Sequence, residues 1–398
     1  MKKTKPVLIL LMKLLISAGL LGYFLTRIHI ERFVNTFASA DVSYVVLTLV
    51  VYLLSQLVSA VRWMVLARPL GFKTPFKVLV HYYLIGMFFN LFAPSTVGGD
   101  ISRVYYLSRD DANHSQKTMA SSTMPAAVSV FIDRAIGMVV LVWLGAVGLF
   151  FFPGYAVPPV VRALTYALAL GFIIGGLLLP VLRHVLPQDG HPMVVKLRVA
   201  LRSYRAHWRA IPQAILLSFV IHLIQAWIHL ILGRAIHIEI PFSYCIILYP
   251  LVGTFSALPI SLNGLGLREG GYLFLLQVIG VNSEKSVAFG LLLFLTVAVD
   301  SLIGGLLFVF AGLRYFGPDV KHPRWRLLSF GAIVALAIWL IASGAFAFYT
   351  SRFSSYNKTL GSLAAVVVML TWLWLSSVAL LLGAEINAEA ERSKGEPA

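Results

Sequence analysis

Five ionisable residues lie beside or inside long apolar runs: Asp133, Arg134, Arg268, Glu269 and Asp300. A charge at the centre of a bilayer costs at least about 2.5–3.5 kcal/mol on the insertion scale. Such residues pair between helices or serve a transported group, and pairing is the plainer role. The second role gains weight because these charges flank two stretches in which Pro and Gly interrupt the apolar pattern. The first, 78–99, holds Pro94, Ser95, Gly98 and Gly99, with Asp100 and Arg103 just beyond it. The second, 243–279, holds Pro259, Ser261, Gly264 and Gly266, followed by Arg268 and Glu269. Together these charges are expected to line one polar groove, neutralising one another while it is unoccupied. A phosphate would then be handed to Arg268 or Arg134, and a cationic headgroup to Asp133, Asp300 or Glu269. Backbone amides at broken helix ends can face a phosphate, and glycine permits the close approach.

Two apolar runs carry weaker signals. Tyr52, Gln56, Ser59 and Trp63 recur at i, i+4, i+7 and i+11, and so do Ser218, His222, Gln225 and His229. Each set makes one polar stripe facing a bundle interior, where interhelical hydrogen bonding is the expected role. The histidines lack a metal-binding spacing, and no Walker loop, nucleophile elbow or dinucleotide fingerprint is present. No metal, cofactor or enzymatic activity is therefore expected. Asp110-Asp111 reads as a solvated loop. The lone cysteine, Cys245, excludes an internal disulfide and a cysteine metal cluster.

The elements that hold these residues follow from composition. Of 398 residues, 59% are hydrophobic and only 12% charged, with a mean hydropathy of +0.86. Soluble domains carry about 25% charged residues, so this chain cannot cover a water-soluble particle. It is an all-α, polytopic membrane bundle. A span needs about 20 apolar residues, and clear spans fall at 7–25, 42–66, 136–152, 160–182, 211–232, 286–313, 327–349 and 360–382. The run at 7–25 follows Lys2, Lys3 and Lys5 and reads as an uncleaved first helix. Arg27, Glu31 and Arg32 separate it from the signal-peptidase-like Ala38-Ser39-Ala40. The net charge of +16 is expected in short cytoplasmic loops and not on a nucleic-acid surface. Lys2, Lys3, Lys5, Arg62, Arg68, Lys73, Lys77, the arginines near 200 and Lys321, Arg324 and Arg326 all reach one side under two conditions. Both termini must be cytoplasmic, and both interrupted stretches re-entrant. The loops at 153–159 and 235–242 are left outside.

The chain also repeats itself. Gly86 and Gly253 are 167 positions apart, as are Gly99 and Gly266, and Asp133 and Asp300. Pro75-Phe76 recurs as Pro241-Phe242. The loop charges give the two units, about 42–152 and 211–313, opposite orientations. An inverted repeat with two broken, re-entrant helices is the design of alternating-access transporters. Between the units, Leu197, Leu201, Tyr204 and Trp208 alternate with Arg198, Arg202, Arg205 and Arg209. This predicts an interfacial helix lying on anionic headgroups.

Three motifs occur in order: Phe88-Phe89-Asn90-Leu91-Phe92-Ala93-Pro94-Ser95-Thr96-Val97-Gly98-Gly99-Asp100 with Arg103; Phe131-Ile132-Asp133-Arg134; and Pro259-Ile260-Ser261-Leu262-Asn263-Gly264-Leu265-Gly266-Leu267-Arg268-Glu269. Over about residues 5–316 the chain resembles the flippase-like membrane domain of lysylphosphatidylglycerol synthases. The resemblance adds Asn90 and Asn263 to the groove and implies lipid translocation. The soluble domain that makes the aminoacyl lipid in full synthases has no counterpart here, so translocation without synthesis is the expectation. Residues 327–392, including Tyr356, Trp372, Gly383 and Glu389, resemble the end of the YihY/BrkB family. This implies a membrane domain at 1–316, a cytoplasmic linker at 317–326 and a two-helix module at 327–398, whose helices offer an oligomer contact. The implied partners are membrane lipids: an anionic or aminoacylated phospholipid, or a lipid-linked sugar. The implied location is the bacterial inner membrane. A non-transporting scaffold, or an intramembrane enzyme acting on lipid headgroups, is the competing reading.

Overall fold

The computed structural model describes residues 12, 30–92, 97–115, 118–185, 202–257, 264, 266–315, 334, 337–339 and 344. The expected spans at 7–25, 327–349 and 360–382 and the 317–326 linker lie outside the described residues, a few isolated positions apart. The chain divides into two units, Met1–Leu307 and Phe308–Ala398. The first carries everything below.

The described elements are all helical. They are α1 (Ile30–Ala38), α2 (Val42–Ala67), a 3-10 turn (Arg68–Leu70), α3 (Phe76–Phe92), α4 (Val97–His114) and α5 (Met119–Phe151). Then come α6 (Pro159–Val185), α7 (Ala210–Ala235), α8 (Phe242–Ser256), α9 (Leu267–Gln277) and α10 (Ser283–Tyr315). Among the described residues, five stretches are long and apolar enough to cross a bilayer: Val42–Leu70, Met119–Phe151, Pro159–Leu178, Ala210–Ala235 and Ser283–Val309. Their outward faces are apolar, as at Val46, Val50 and Leu54 on α2 and Phe150 and Phe151 on α5. An exposed stripe of this kind is a liability in water and a requirement in lipid. Helix α5 begins well before the expected 136. Thr118 caps it by accepting the Ser121 N–H, and buried Ser122 donates to Asp111 at 2.6 Å. Polar residues that lowered its apparent hydropathy are thus satisfied inside the protein.

The repeat is visible in the element order, since α2–α5 are matched by α7–α10. Three contacts fix the sense of α2 against α7. The Asp41 N–H donates to the Ala235 carbonyl at 2.8 Å, Gln225 donates to Ser55 at 3.0 Å, and Arg62 donates to Ser218 at 2.8 Å. As α2 advances, its partners on α7 recede, so these equivalent helices run antiparallel. The two repeats also exchange contacts. Gly145 of α5 packs on Pro250 and Leu251 of α8, and Gly304 of α10 packs on Leu84 of α3. Leu84 and Leu251 are themselves 167 positions apart.

Both interrupted stretches are helical hairpins. On α3 and α4, Tyr82 stacks on Tyr106 and Asn90 accepts the Gly99 N–H. On α8 and α9, Tyr244 donates to the Leu275 carbonyl at 2.5 Å and Gly271 packs on Val252. In each pair the second helix packs back against the first. Irregular backbone at membrane depth is tolerated where protein or a polar cavity covers it.

Candidate functional site

At the first break, the chain is held by a glycine crossing. A Cβ at Gly99 would lie 2.0 Å from the Gly86 carbonyl oxygen, so no other residue permits this approach of α4 to α3. The Gly99 N–H is satisfied by Asn90 Oδ1 at 3.0 Å. This register turns Asp100 and Arg103 toward α5. Arg103 Nη2 lies 2.8 Å from Asp133 Oδ2 and its Nη1 lies 3.7 Å from Asp100. Asp100 in turn accepts Arg134 Nε at 2.9 Å. From α2, Arg62 Nε reaches the other Asp133 oxygen at 2.8 Å.

Five charges thus form one chain, Arg62–Asp133–Arg103–Asp100–Arg134, with three cations against two anions. Arg62, Arg103 and Asp133 are buried, while Arg134 is 47% exposed as a side chain and is the open end. The guanidinium carbon of Arg103 sits 4.2 Å from the Trp63 ring centroid and 4.6 Å from that of Tyr83. Aromatic faces attract a cation electrostatically where water is excluded. Its buried Nε has no hydrogen-bond partner, in keeping with a guanidinium held by rings on its faces and carboxylates at its tip.

At the second break, Gly264 and Gly266 take positive φ angles of 76° and 84°, a backbone state glycine adopts without a Cβ penalty. Glu269 is fully buried. Its Oε2 accepts the Gly266 N–H at 2.7 Å, closing the first turn of α9. Its Oε1 receives Arg268 Nη2 at 2.6 Å and Nε at 3.1 Å. Arg268 also lies over Phe294 of α10, 5.1 Å from its ring centroid. Asp300, further along α10, is buried, and its Oδ2 has no hydrogen-bond partner.

Comparison with known proteins bears on this arrangement. The model of the lysylphosphatidylglycerol synthase transmembrane region matches residues 10–305, which includes both hairpins and all the charges just described. The chain belongs to that family. A membrane protein of Methanocaldococcus jannaschii, the UPF0104 protein MJ1595, is 28% identical over 136 residues, 34% of this chain and 38% of that protein. The model of virulence factor BrkB matches residues 236–398, a wider likeness than the 327–392 read from the motifs. It overlaps the synthase-region match from α8 onward. A UPF0761 membrane protein of Tolumonas auensis is 32% identical over 99 residues, 23% of this chain and 32% of that protein. A ribonuclease-like protein of Bacillus subtilis, YfkH, is 38% identical over 92 residues, 23% of this chain and 33% of that protein. The matched segments span about a third of these relatives' own lengths.

In this family member the charged candidates fall into two ion-paired sets and one separate carboxyl. Asp100, Arg103, Asp133 and Arg134 come together in one chain, with Asn90, Gly98 and Gly99 at its break. Gly264, Gly266, Arg268 and Glu269 form a second, separately closed cluster, and Asp300 stands apart from both ion-paired sets. Pro94, Ser95, Pro259, Ser261 and Asn263 lie outside the described residues, as does Arg198. Arg202, Arg205 and Arg209 are exposed, with Arg209 over the exposed Trp208. Tyr204 departs from the expected lipid-facing stripe. It is buried, its hydroxyl donates to the Leu66 carbonyl at 2.6 Å, and burial pushes the phenol above its ordinary pKa.

Two further readings are corrected. Arg62, counted in the last turns of the second span toward the cytoplasmic bias, is carried inward by α2 to Asp133 and Ser218. Asp110 and Asp111 are on α4 and not in a loop. Thr74 donates to Asp110 at 2.5 Å and Ser122 donates to Asp111. The polar stripes do hydrogen-bond between helices. His222 donates from Nε2 to the Gly137 carbonyl at 2.9 Å and accepts the Tyr249 hydroxyl at 2.8 Å. His229 donates from Nδ1 to the Gln225 carbonyl at 2.7 Å and accepts the Tyr272 hydroxyl at 2.7 Å. Among the described residues, no group of three or more His, Cys, Asp or Glu could hold a metal ion.

Proposed function

We propose that this chain moves a phospholipid, an aminoacyl-phospholipid or a lipid-linked sugar between membrane leaflets. The observation that carries this reading is the five-charge chain with one cation in excess, closed inside the bundle and open at Arg134. An anionic headgroup meets net positive charge there and can replace Asp100 on Arg134 without a charge being stranded. The two hairpins and the antiparallel α2 and α7 suit alternating access, in which one unit rocks against the other around a central site. No nucleotide-binding motif is present in the sequence, so movement would be downhill or ion-coupled. The reading places the protein in the bacterial inner membrane with both termini cytoplasmic.

The test uses the full chain reconstituted in liposomes containing headgroup-labelled phosphatidylglycerol, with an impermeant quencher outside. Movement faster than in protein-free liposomes, and lost in Arg134→Ala at equal incorporation, is expected. Equal rates with and without protein, for anionic, aminoacylated and sugar-linked probes alike, would leave a lipid-binding scaffold as the better reading.

A further inference from the structure

The 167-residue offset places every member of the first charge chain against a counterpart in the second unit. Asp133 falls on Asp300, but Arg62 falls on His229, Arg103 on Gly270, Asp100 on Leu267 and Arg134 on Ser301. The repeat keeps the carboxylate and removes both arginines that hold it. Asp300 is 3% exposed, its Oδ2 has no hydrogen-bond partner, and no described cation ion-pairs with it. The neighbouring Ser301 Oγ is also buried without a partner. Asp133, by contrast, has one guanidinium on each oxygen.

The elements around α10 hold their titratable groups in other bonds. On α7, His229 packs on Phe289 of α10 and takes the Tyr272 hydroxyl, while His222 is bonded to Tyr249 and Gly137. On α9, Arg268 and Glu269 are bonded to each other. On α3, the Leu84 carbonyl approaches Gly304, and Tyr83 is taken up by Arg103. On α2, Arg62 is committed to Asp133 and Ser218. A carboxylate isolated from water is costly unless it gains a counter-charge or a proton.

We propose that Asp300 is the coupling site of the transporter, a carboxyl that takes up and releases one proton per cycle. The proposal rests on the transport reading above. The step is a simple proton transfer. An O–H bond forms at Oδ2 with a proton delivered through water from the side to which the site is open. The same bond breaks to return the proton to water on the other side, so the site alternates between neutral and singly negative. Fixed charge in one unit and a titrating carboxyl in the other would give the repeat its functional asymmetry.

Two measurements on the full chain in phosphatidylglycerol liposomes test this. The first is an infrared difference spectrum between acid and alkaline buffer, which needs no transport. A carboxylic-acid carbonyl band should be present in the wild type, absent in Asp300→Asn and displaced in Asp300→Glu. A band unchanged in Asp300→Asn overturns the proposal. The second is the steady-state leaflet ratio of labelled lipid under a one-unit pH gradient. One coupled proton shifts that ratio by up to about tenfold, and Asp300→Asn should abolish the shift. A shift that survives in Asp300→Asn overturns the coupling role, as does a response to a sodium gradient at constant pH in place of the pH response. If the wild type moves no lipid while the band still disappears in Asp300→Asn, the transport reading fails and the proton site stands.

Discussion

Arg62 Nε lies 2.8 Å from Asp133 Oδ1, tying α2 to α5 through two side chains that are both buried. Arg103 occupies the other oxygen, so Asp133 is the one anion between two buried cations. Removing it leaves Arg62 with only the neutral Ser218 hydroxyl and Arg103 with only Asp100 at 3.7 Å. Breaking a buried pair from one side costs about 3–5 kcal/mol, and Asp133→Asn should lower the thermal midpoint in detergent by a corresponding margin. Replacing the pair with apolar residues, Arg62→Met with Asp133→Leu, should be less harmful than Asp133→Asn alone if Coulombic compensation is the pair's main role. A double variant as unstable as the sum of both singles would contradict this.

Glycine substitutions separate crowded crossings from open ones. A Cβ at Gly99 would sit 2.0 Å from the Gly86 carbonyl, and one at Gly304 would sit 1.9 Å from the Leu84 carbonyl. Those neighbours are backbone and cannot rotate away. Gly99→Ala and Gly304→Ala should each destabilise by about 1–3 kcal/mol, the usual cost of overpacking. At Gly175 nothing lies within 4 Å of the added carbon, so Gly175→Ala should leave the midpoint unchanged or raised. Size-exclusion profiles after graded heating would rank the three.

Much of this architecture is legible in the sequence because it is written in local patterns. The spans follow from apolar length, the breaks from Pro and Gly, and the repeat from a constant offset. The partners of the charges are another matter. Arg62 meets Asp133 across 71 positions and Ser218 across 156, and no periodicity within α2 encodes either contact. Arg62 therefore read as one more positive charge near a span end. An arginine deep enough in an apolar run to be followed by Trp63, Met64, Val65 and Leu66 was the available signal for an internal partner. Asp110-Asp111 misled for the opposite reason. Paired acids look solvated, yet Thr74 and Ser122 satisfy them from neighbouring elements.

Topology can be tested without any lipid assay. With Arg62 internal, and Arg68 donating to the Phe72 and Thr74 carbonyls, the bias near the end of α2 rests on Lys73 and Lys77. Those lysines, the arginines near 200 and the amino-terminal lysines still favour cytoplasmic termini. Reporter fusions after Ala398 and within 153–159 should report opposite sides of the membrane. The same signal from both positions would require a different number of spans.

The last prediction concerns Glu269, where one carboxylate does two jobs. Oε2 closes the turn at Gly266 and Oε1 neutralises Arg268. Glu269→Gln keeps an oxygen for the Gly266 N–H and loses the charge. Glu269→Ala loses both and leaves the buried amide unpaired. Loss of a cap costs about 0.5–2 kcal/mol, and a stranded Arg268 adds to it, so Ala should be markedly less stable than Gln. Exchanging the two residues, Arg268→Glu with Glu269→Arg, also removes the acceptor at Gly266 and should resemble Ala, not the wild type. If Arg268 serves an anionic headgroup, Glu269→Gln should strengthen binding of phosphatidylglycerol while slowing its release, because Arg268 loses the carboxylate that displaces the phosphate. Binding isotherms and leaflet-exchange rates on the same preparation would then move in opposite directions. If both fall together in Glu269→Gln at a normal thermal midpoint, Arg268 does not hold the headgroup.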